Sequence, residues 1–190
     1  MEKYNTIKIA LVGAAFSGKS CLAKAITKQS LFNRDYIPTI GSDLCHMYIP
    51  QDSLKILFWD LSGIDRFSFL IESYISTSHL VCLCYDSDDF NSYQKLKEKY
   101  VALREFIKDK PVCVVSTKND RNTYDEYWGK ELSTQLGCPY FTTSSLRGNT
   151  KELLDWILEE TWKKYPRYIE IEDGNDFPKK KCCCFSLQPI

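Results

Sequence analysis

The chain has 190 residues, enough for one well-buried domain and a short appendage. Lys+Arg and Asp+Glu are equal at 25 each, which excludes the broad basic field that a nucleic-acid partner requires. No apolar run approaches the roughly 18 residues that span a bilayer, and residues 1–6 carry no signal-peptide core, so a cytoplasmic protein is expected.

Along the chain, Ile7–Val12 is an apolar run that ends at Gly13, as a buried strand does. Ser20–Gln29 follows with Leu22, Ala25 and Ile26 at helical spacing. Residues 30–42 are broken by Asn33, Pro38 and Gly41 and read as a loop of functional length. Leu44–Ile49 and Leu54–Asp60, separated by Pro50 to Ser53, read as a hairpin. Leu80–Tyr85 and Pro111–Ser116 are continuous apolar runs, typical of sheets covered on both faces. Between them Leu96, Tyr100, Leu103 and Ile107 repeat at helical intervals. A helix over Tyr124–Leu136 stopping at Gly137, a short strand Cys138–Thr142 and a helix opened by Asn149, with Glu152 in a capping arrangement, complete the pattern. Strands alternating with helices predict an α/β fold, a mostly parallel sheet of six strands with helices on both faces. Ligands of such folds sit beyond the carboxyl ends of the strands.

The motifs occupy those ends. Gly13-Ala14-Ala15-Phe16-Ser17-Gly18-Lys19-Ser20 is G-x-x-x-x-G-K-S between strand and helix. Its backbone N–H groups suit a phosphate chain, Lys19 suits the β- and γ-phosphate charge, and the Ser20 hydroxyl suits Mg²⁺. Ala15, Phe16, Ser17, Gly18, Lys19, Ser20 and Cys21 are therefore candidate nucleotide contacts. Asp60 ends a strand with Gly63 three residues on, a carboxylate for the Mg²⁺ water shell and an N–H for a γ-phosphate. Thr117-Lys118-Asn119-Asp120 follows another strand. Asp120 can accept from both guanine N1–H and its amine, a pair that adenine lacks, and leaving that acceptor unpaired is costly. Lys118 would lay its stem across the base and tie the phosphate loop to it. Ser144, Ser145 and Leu146, after the last short strand, offer N–H groups to the guanine carbonyl.

These pieces in this order resemble the Ras superfamily of small GTPases, most similar to the Rab branch, over residues 7 to about 165. The resemblance implies a P-loop NTPase G domain over residues 1–165 with GTP/GDP and Mg²⁺ as ligands. Tyr36-Ile37-Pro38-Thr39-Ile40-Gly41-Ser42-Asp43 looks like a Rab first switch, and Asp65-Arg66-Phe67 like part of the second. Carried over, Thr39 joins Ser20 and Asp60 at the metal, Asp60 through water, and Tyr36 closes over the phosphates. Phe32 either lies against the guanine ring or packs its own loop. Two departures bear on mechanism. Ile64 stands where the family places the glutamine that orients the attacking water, and it has no donor or acceptor to do so. Ala15 and Phe16 replace the small or glycine residues often found in the phosphate loop, and the Ala15 Cβ would crowd an incoming arginine finger, a group that supplies about 10³–10⁵ in rate. Asp65 also replaces a glutamate that exchange factors commonly use. The expectation is a switch that binds GTP, hydrolyses it slowly, and acts through effector proteins that read the GTP-bound switches. Exchange factor and activating protein are further implied partners, and vesicle trafficking the implied setting.

Residues 166–190 read as a flexible hypervariable tail, acidic and then Lys179-Lys180-Lys181-Cys182-Cys183-Cys184. Lysines beside Cys182, Cys183 and Cys184 suit lipidation and anionic lipid, on the cytoplasmic face of an internal membrane. The chain ends Leu187-Gln188-Pro189-Ile190, without a C-a-a-X signal. A disordered basic tail with incidental cysteines is the alternative. The other six of the nine cysteines sit mostly in apolar segments and read as buried thiols. Competing functions remain a normally cycling GTPase timer helped in trans, a related kinase or ATPase, which the Lys118–Asp120 motif disfavours, and a GTP-binding interaction scaffold without turnover.

Overall fold

The computed structural model describes residues 5–29, 38–64, 68–121, 126–164, 168–171 and 179–182. Its contacts divide the chain into residues 1–153 and 154–190. The first unit opens with β1 (Asn5–Val12), α1 (Lys19–Thr27), β2 (Ser42–Ile49), a 3-10 turn (Pro50–Asp52) and β3 (Leu54–Leu61). It continues with α2 (Ser68–Thr77), β4 (Leu80–Asp86), α3 (Phe90–Ile107), β5 (Val112–Thr117), α4 (Tyr127–Leu136) and β6 (Tyr140–Thr142). α5 (Lys151–Lys164) begins there and runs into the second unit.

Among the described residues these strands form one six-stranded sheet in the order β2-β3-β1-β4-β5-β6. Only β2, paired with β3, is antiparallel. From β1 the chain moves to the β3 side and then crosses back to β4. Right-handed crossovers in opposite directions put α1 on one face and α2, α3 and α4 on the other. The period-two pattern of the strands agrees. Ala10, Val12, Val81, Leu83, Tyr85 and Val114 join one core with Ile71 and Ile75 of α2, Leu96, Leu103 and Ile107 of α3, and Leu132 of α4. The alternate residues Ile9, Leu11, Cys82, Cys84, Cys113 and Val115, all fully buried, point the other way. Three of the predicted buried thiols thus line that second face, and Cys45 is buried on β2. Burial pushes the Cys84 and Cys113 thiols well up, so they pack as small hydrophobes.

The boundaries differ from the sequence reading where hydrogen bonding decides them. Asn149 does not open α5: it forms an antiparallel bridge with Ser144, donating to its carbonyl at 3.0 Å, and the helix starts at Lys151. α2 is absent from the sequence reading. It carries Ser73, Ser76 and Thr77, residues that compete with helix, but its Ser76 hydroxyl donates back to Glu72 O at 2.7 Å while Ile71 and Ile75 bury. Gly137 ends α4 as predicted, at φ 61°, with its N–H returned to Ser133 and Thr134. The first two positions of the predicted helix, 124 and 125, lie outside the described residues, and the observed helix starts at Tyr127.

In the second unit the Thr161 hydroxyl of α5 donates to Ile157 O at 2.7 Å, and both residues are buried. β7 (Tyr168–Ile171) then pairs antiparallel with β8 (Lys179–Cys182), with Glu170 opposite Lys180. The lysine run has no period-two apolar pattern, and sequence alone gives it no strand.

Gly129 of α4 is fixed by packing: a Cβ there would fall into the Tyr140 ring and the Tyr85 hydroxyl. Gly129→Ala is expected to lower unfolding free energy by about 1–3 kcal/mol in urea titration, the usual cost of overpacking a core.

Candidate functional site

The parallel register brings the carboxyl ends of β1, β3, β4 and β5 to one edge of the sheet. The loop after β1 turns back on itself there. Phe16 sits at φ 64°, a backbone region costly for a bulky side chain, and the residue is 61% exposed. Lys19 opens α1 and is buried. Its ammonium donates to Ala14 O at 2.7 Å, Gly13 O at 3.2 Å and Ser17 Oγ at 3.3 Å. Burial lowers the Lys19 pKa, and the Asp60 charge opposes that shift. An anion held by the loop would act in the same direction as Asp60, favouring the charged ammonium.

Beside it, two hydroxyls from distant segments converge on one carboxylate. Ser20 Oγ donates to Asp60 Oδ2 at 2.6 Å, Thr39 Oγ1 donates to the same oxygen at 2.9 Å, and the hydroxyls are 3.1 Å apart. Asp60 is 1% exposed, and burial raises its pKa against the pull of Ser20, Lys19 and Thr39. Its other oxygen, Oδ1, is buried without a hydrogen-bond partner among the described residues. Two hydroxyls and a buried carboxylate with one orphaned oxygen are a hard oxygen donor set, and they fit a divalent cation such as Mg²⁺ with its waters. After Asp60 the chain passes Ser62 to Gly63, whose missing Cβ would strike the backbone of Ala14 and Ala15. Only glycine permits that approach to the phosphate-type loop. Ile64 follows, half-buried, its N–H donating to Ser62 Oγ at 3.3 Å.

The loops after β4, β5 and β6 form the other half. Thr117 Oγ1 lies 2.8 Å from Ser17 O and 3.1 Å from Tyr85 O, stitching β4, β5 and the first loop together. Lys118, at φ 61°, donates to Phe16 O at 2.7 Å and to Asp86 Oδ2 at 2.7 Å. Lys118 thus joins the loop after β5 to the loop after β1 by a direct hydrogen bond. Ser144 Oγ donates to Asp120 Oδ1, and the Arg147 guanidinium reaches Asp120 O at 3.4 Å. Ser145 is half-buried beside it, and Leu146 is 53% exposed. Cys21 is half-buried in the first turn of α1, and burial raises its thiol pKa. Phe32, Tyr36, Asp65, Cys183 and Cys184 lie outside the described residues. Sequence reasoning missed Asp86, Arg121 and Arg147. Asp86 carried one available signal, since it closes a strand as Asp60 does.

A phosphate-type loop between β1 and α1, a hydroxyl–carboxylate cradle at the end of β3 and a lysine–aspartate loop after β5 make up the architecture of a P-loop G domain. The chain belongs to the Ras family, whose model matches residues 8–163. It is similar to the Ras-related protein RABD1 of Arabidopsis thaliana, 29% identical over 73% of this chain and 70% of that protein. It is also similar to two proteins of Dictyostelium discoideum. Ras-related protein Rab-1C is 28% identical over 73% of this chain and 72% of its own length. Ras-related protein RabC is 25% identical over 97% of this chain and the whole of its own. The chain is thus a divergent Rab-like member.

Thr117→Val removes a hydroxyl whose single proton serves the Ser17 and Tyr85 carbonyls, and leaves the Ser17 carbonyl without that donor. Unfolding free energy is expected to fall by about 1–3 kcal/mol in denaturant titration, with the far-ultraviolet spectrum unchanged.

Proposed function

We propose that this protein is a guanine-nucleotide switch that binds GTP and GDP with Mg²⁺ and hydrolyses GTP slowly. The observation that carries the binding half is the meeting of Ser20 and Thr39 on Asp60 beside the buried Lys19. Ser20, Thr39 and, through water, Asp60 would hold the metal, which when bound neutralises phosphate charge. Residues Ala15 to Cys21 would wrap the phosphates with backbone N–H groups at the start of α1, where the helix dipole favours anions. Asp120 would choose guanine, with Ser144 orienting its carboxylate and Ser145 and Leu146 lying beside the base. Thr39 would sense the γ-phosphate together with the Gly63 N–H, so the two switch segments would differ between GTP and GDP states.

Ile64 supports the slow-hydrolysis half. Its side chain offers no hydrogen bond to a water, and its backbone N–H is already spent on Ser62. Ala15 adds a Cβ where an arginine from a partner would approach. Such a protein dwells in the GTP state and signals by effector binding there. The Rab likeness supports a role in vesicle trafficking. The Lys179 to Cys184 cluster supports attachment to a cytoplasmic membrane face through lipid on the cysteines. Among the described residues no helix is long and apolar enough to cross a membrane.

Single-turnover hydrolysis of preloaded GTP, wild type beside Ile64→Gln, tests the reading. The variant is expected to turn over at least about tenfold faster, the scale of a positioned water. Brisk wild-type hydrolysis with no gain from glutamine contradicts it and favours a timer whose water is oriented elsewhere. Chelating divalent cations with excess EDTA is expected to speed GDP release at least about tenfold, followed with a fluorescent analogue, because phosphate charge loses its counterion.

A further inference from the structure

Asp86 belongs to none of the motifs read from the sequence. It closes β4 and lies in register opposite Thr117, the residue before Lys118. It is only 5% exposed. Its Oδ1 accepts the Asp88 backbone N–H at 3.1 Å, and its Oδ2 accepts Lys118 Nζ at 2.7 Å and Arg121 Nη1 at 3.4 Å. A carboxylate so buried is costly to leave without a cation, so the Lys118 ammonium is held from that side. From the other side the same ammonium is held by Phe16 O at 2.7 Å. The flexible four-carbon stem of Lys118 is therefore strung between two fixed anchors, from a backbone at φ 61°. A lysine left to itself spreads over many rotamers, and ordering it costs entropy each time a ligand binds. Arg121 is placed differently: its side chain is 46% exposed and is shared between Asp86 and Asp88, both at 3.4 Å.

We propose that Asp86 is a positioning residue for guanine binding: it preorders the Lys118 stem along the base and so sets how long the nucleotide stays bound. The assignment rests on the guanine-nucleotide reading above. It concerns residence time more than encounter, because a preordered contact acts mainly on dissociation.

Asp86→Asn keeps the shape and an acceptor but removes the charge. Dissociation and association of fluorescent GDP are measured for wild type, Asp86→Asn, Lys118→Ala and the double variant. Asp86→Asn is expected to speed dissociation at least about tenfold, the loss of a charge-assisted bond. Association is expected to change by less than about threefold. In the Lys118→Ala background the same substitution is expected to change dissociation by less than about twofold, since the group it positions is gone. An equal effect in both backgrounds overturns the proposal, because the carboxylate then acts on the fold and not through Lys118. Should Asp86→Asn fail to fold, Asp86→Glu carries the test: dissociation within about threefold of wild type is expected because the charge is retained, and loss as great as that of Lys118→Ala overturns the proposal. Tight wild-type GDP binding that Asp86→Asn leaves unchanged overturns this assignment alone. Absence of GDP binding by the wild type overturns the guanine reading and this assignment with it.

Discussion

Parallel pairing of β1 with β3 and with β4 is the constraint on which the site depends. In that register Leu11 lies beside Asp60 on one side and Cys82 on the other, and Asp86 lies beside Thr117 one strand further on. Each strand must end before the next element can cross back, so the loops after residues 12, 61, 86 and 117 are delivered to a single edge. Groups separated by 40 to 102 positions in sequence then meet by hydrogen bonds: Ser20 with Asp60, Lys118 with Phe16. The apolar runs that pay the conformational entropy of that register also bury the carboxylates at its ends. Burial is what raises the Asp60 pKa and lowers that of Lys19, leaving a carboxylate and an ammonium that both gain from a bound metal and its anion.

Much of this was legible in the sequence because the strands are continuous apolar runs that stop at polar residues with defined chemistry. β1, β3, β4 and β5 each begin and end within two residues of their sequence limits. α2 was not legible, since serines and threonines obscure its apolar stripe and only the bonds of their hydroxyls to the preceding turn reconcile them with helix. The start of α5 was misplaced because Asn149, a good cap by type, is used instead in the bridge to Ser144. At the site, spacing singled out Lys19, Ser20, Asp60, Lys118 and Asp120 as candidates, because they sit at fixed offsets from strand ends. Asp86 and Arg121 escaped because their meaning lies in a pairing between two loops, and spacing along one strand does not display that.

Two backbone outliers fall within this small region. Phe16 and Lys118, neither of them glycine, both adopt positive φ, and the carbonyl of one accepts the ammonium of the other. Such conformations cost about 1–3 kcal/mol each and persist where surrounding contacts over-determine them. Thr117, bonded to the loop one residue away at Ser17, and Gly63, packed against Ala14 and Ala15, supply those contacts. The loop that would hold phosphate is thus coupled mechanically to the loop that would hold the base. The same loop carries Ala15 and Phe16, and Gly63, packed against Ala14 and Ala15, directly precedes Ile64. In the proposed function, binding is preserved by this coupling, while hydrolysis is weakened by the side chains around it.

Equilibrium competition decides whether the strand ends bind a guanine nucleotide selectively. GDP and ADP are titrated against a fluorescent GDP analogue on the wild-type protein in the presence of Mg²⁺. If the half-buried Asp120 is the base acceptor, the site rejects a base lacking the N1–H and amine pair, so GDP is expected to displace the probe at a concentration at least about 10³-fold below that of ADP. Displacement by the two at similar concentrations, or no binding of the probe, contradicts the account.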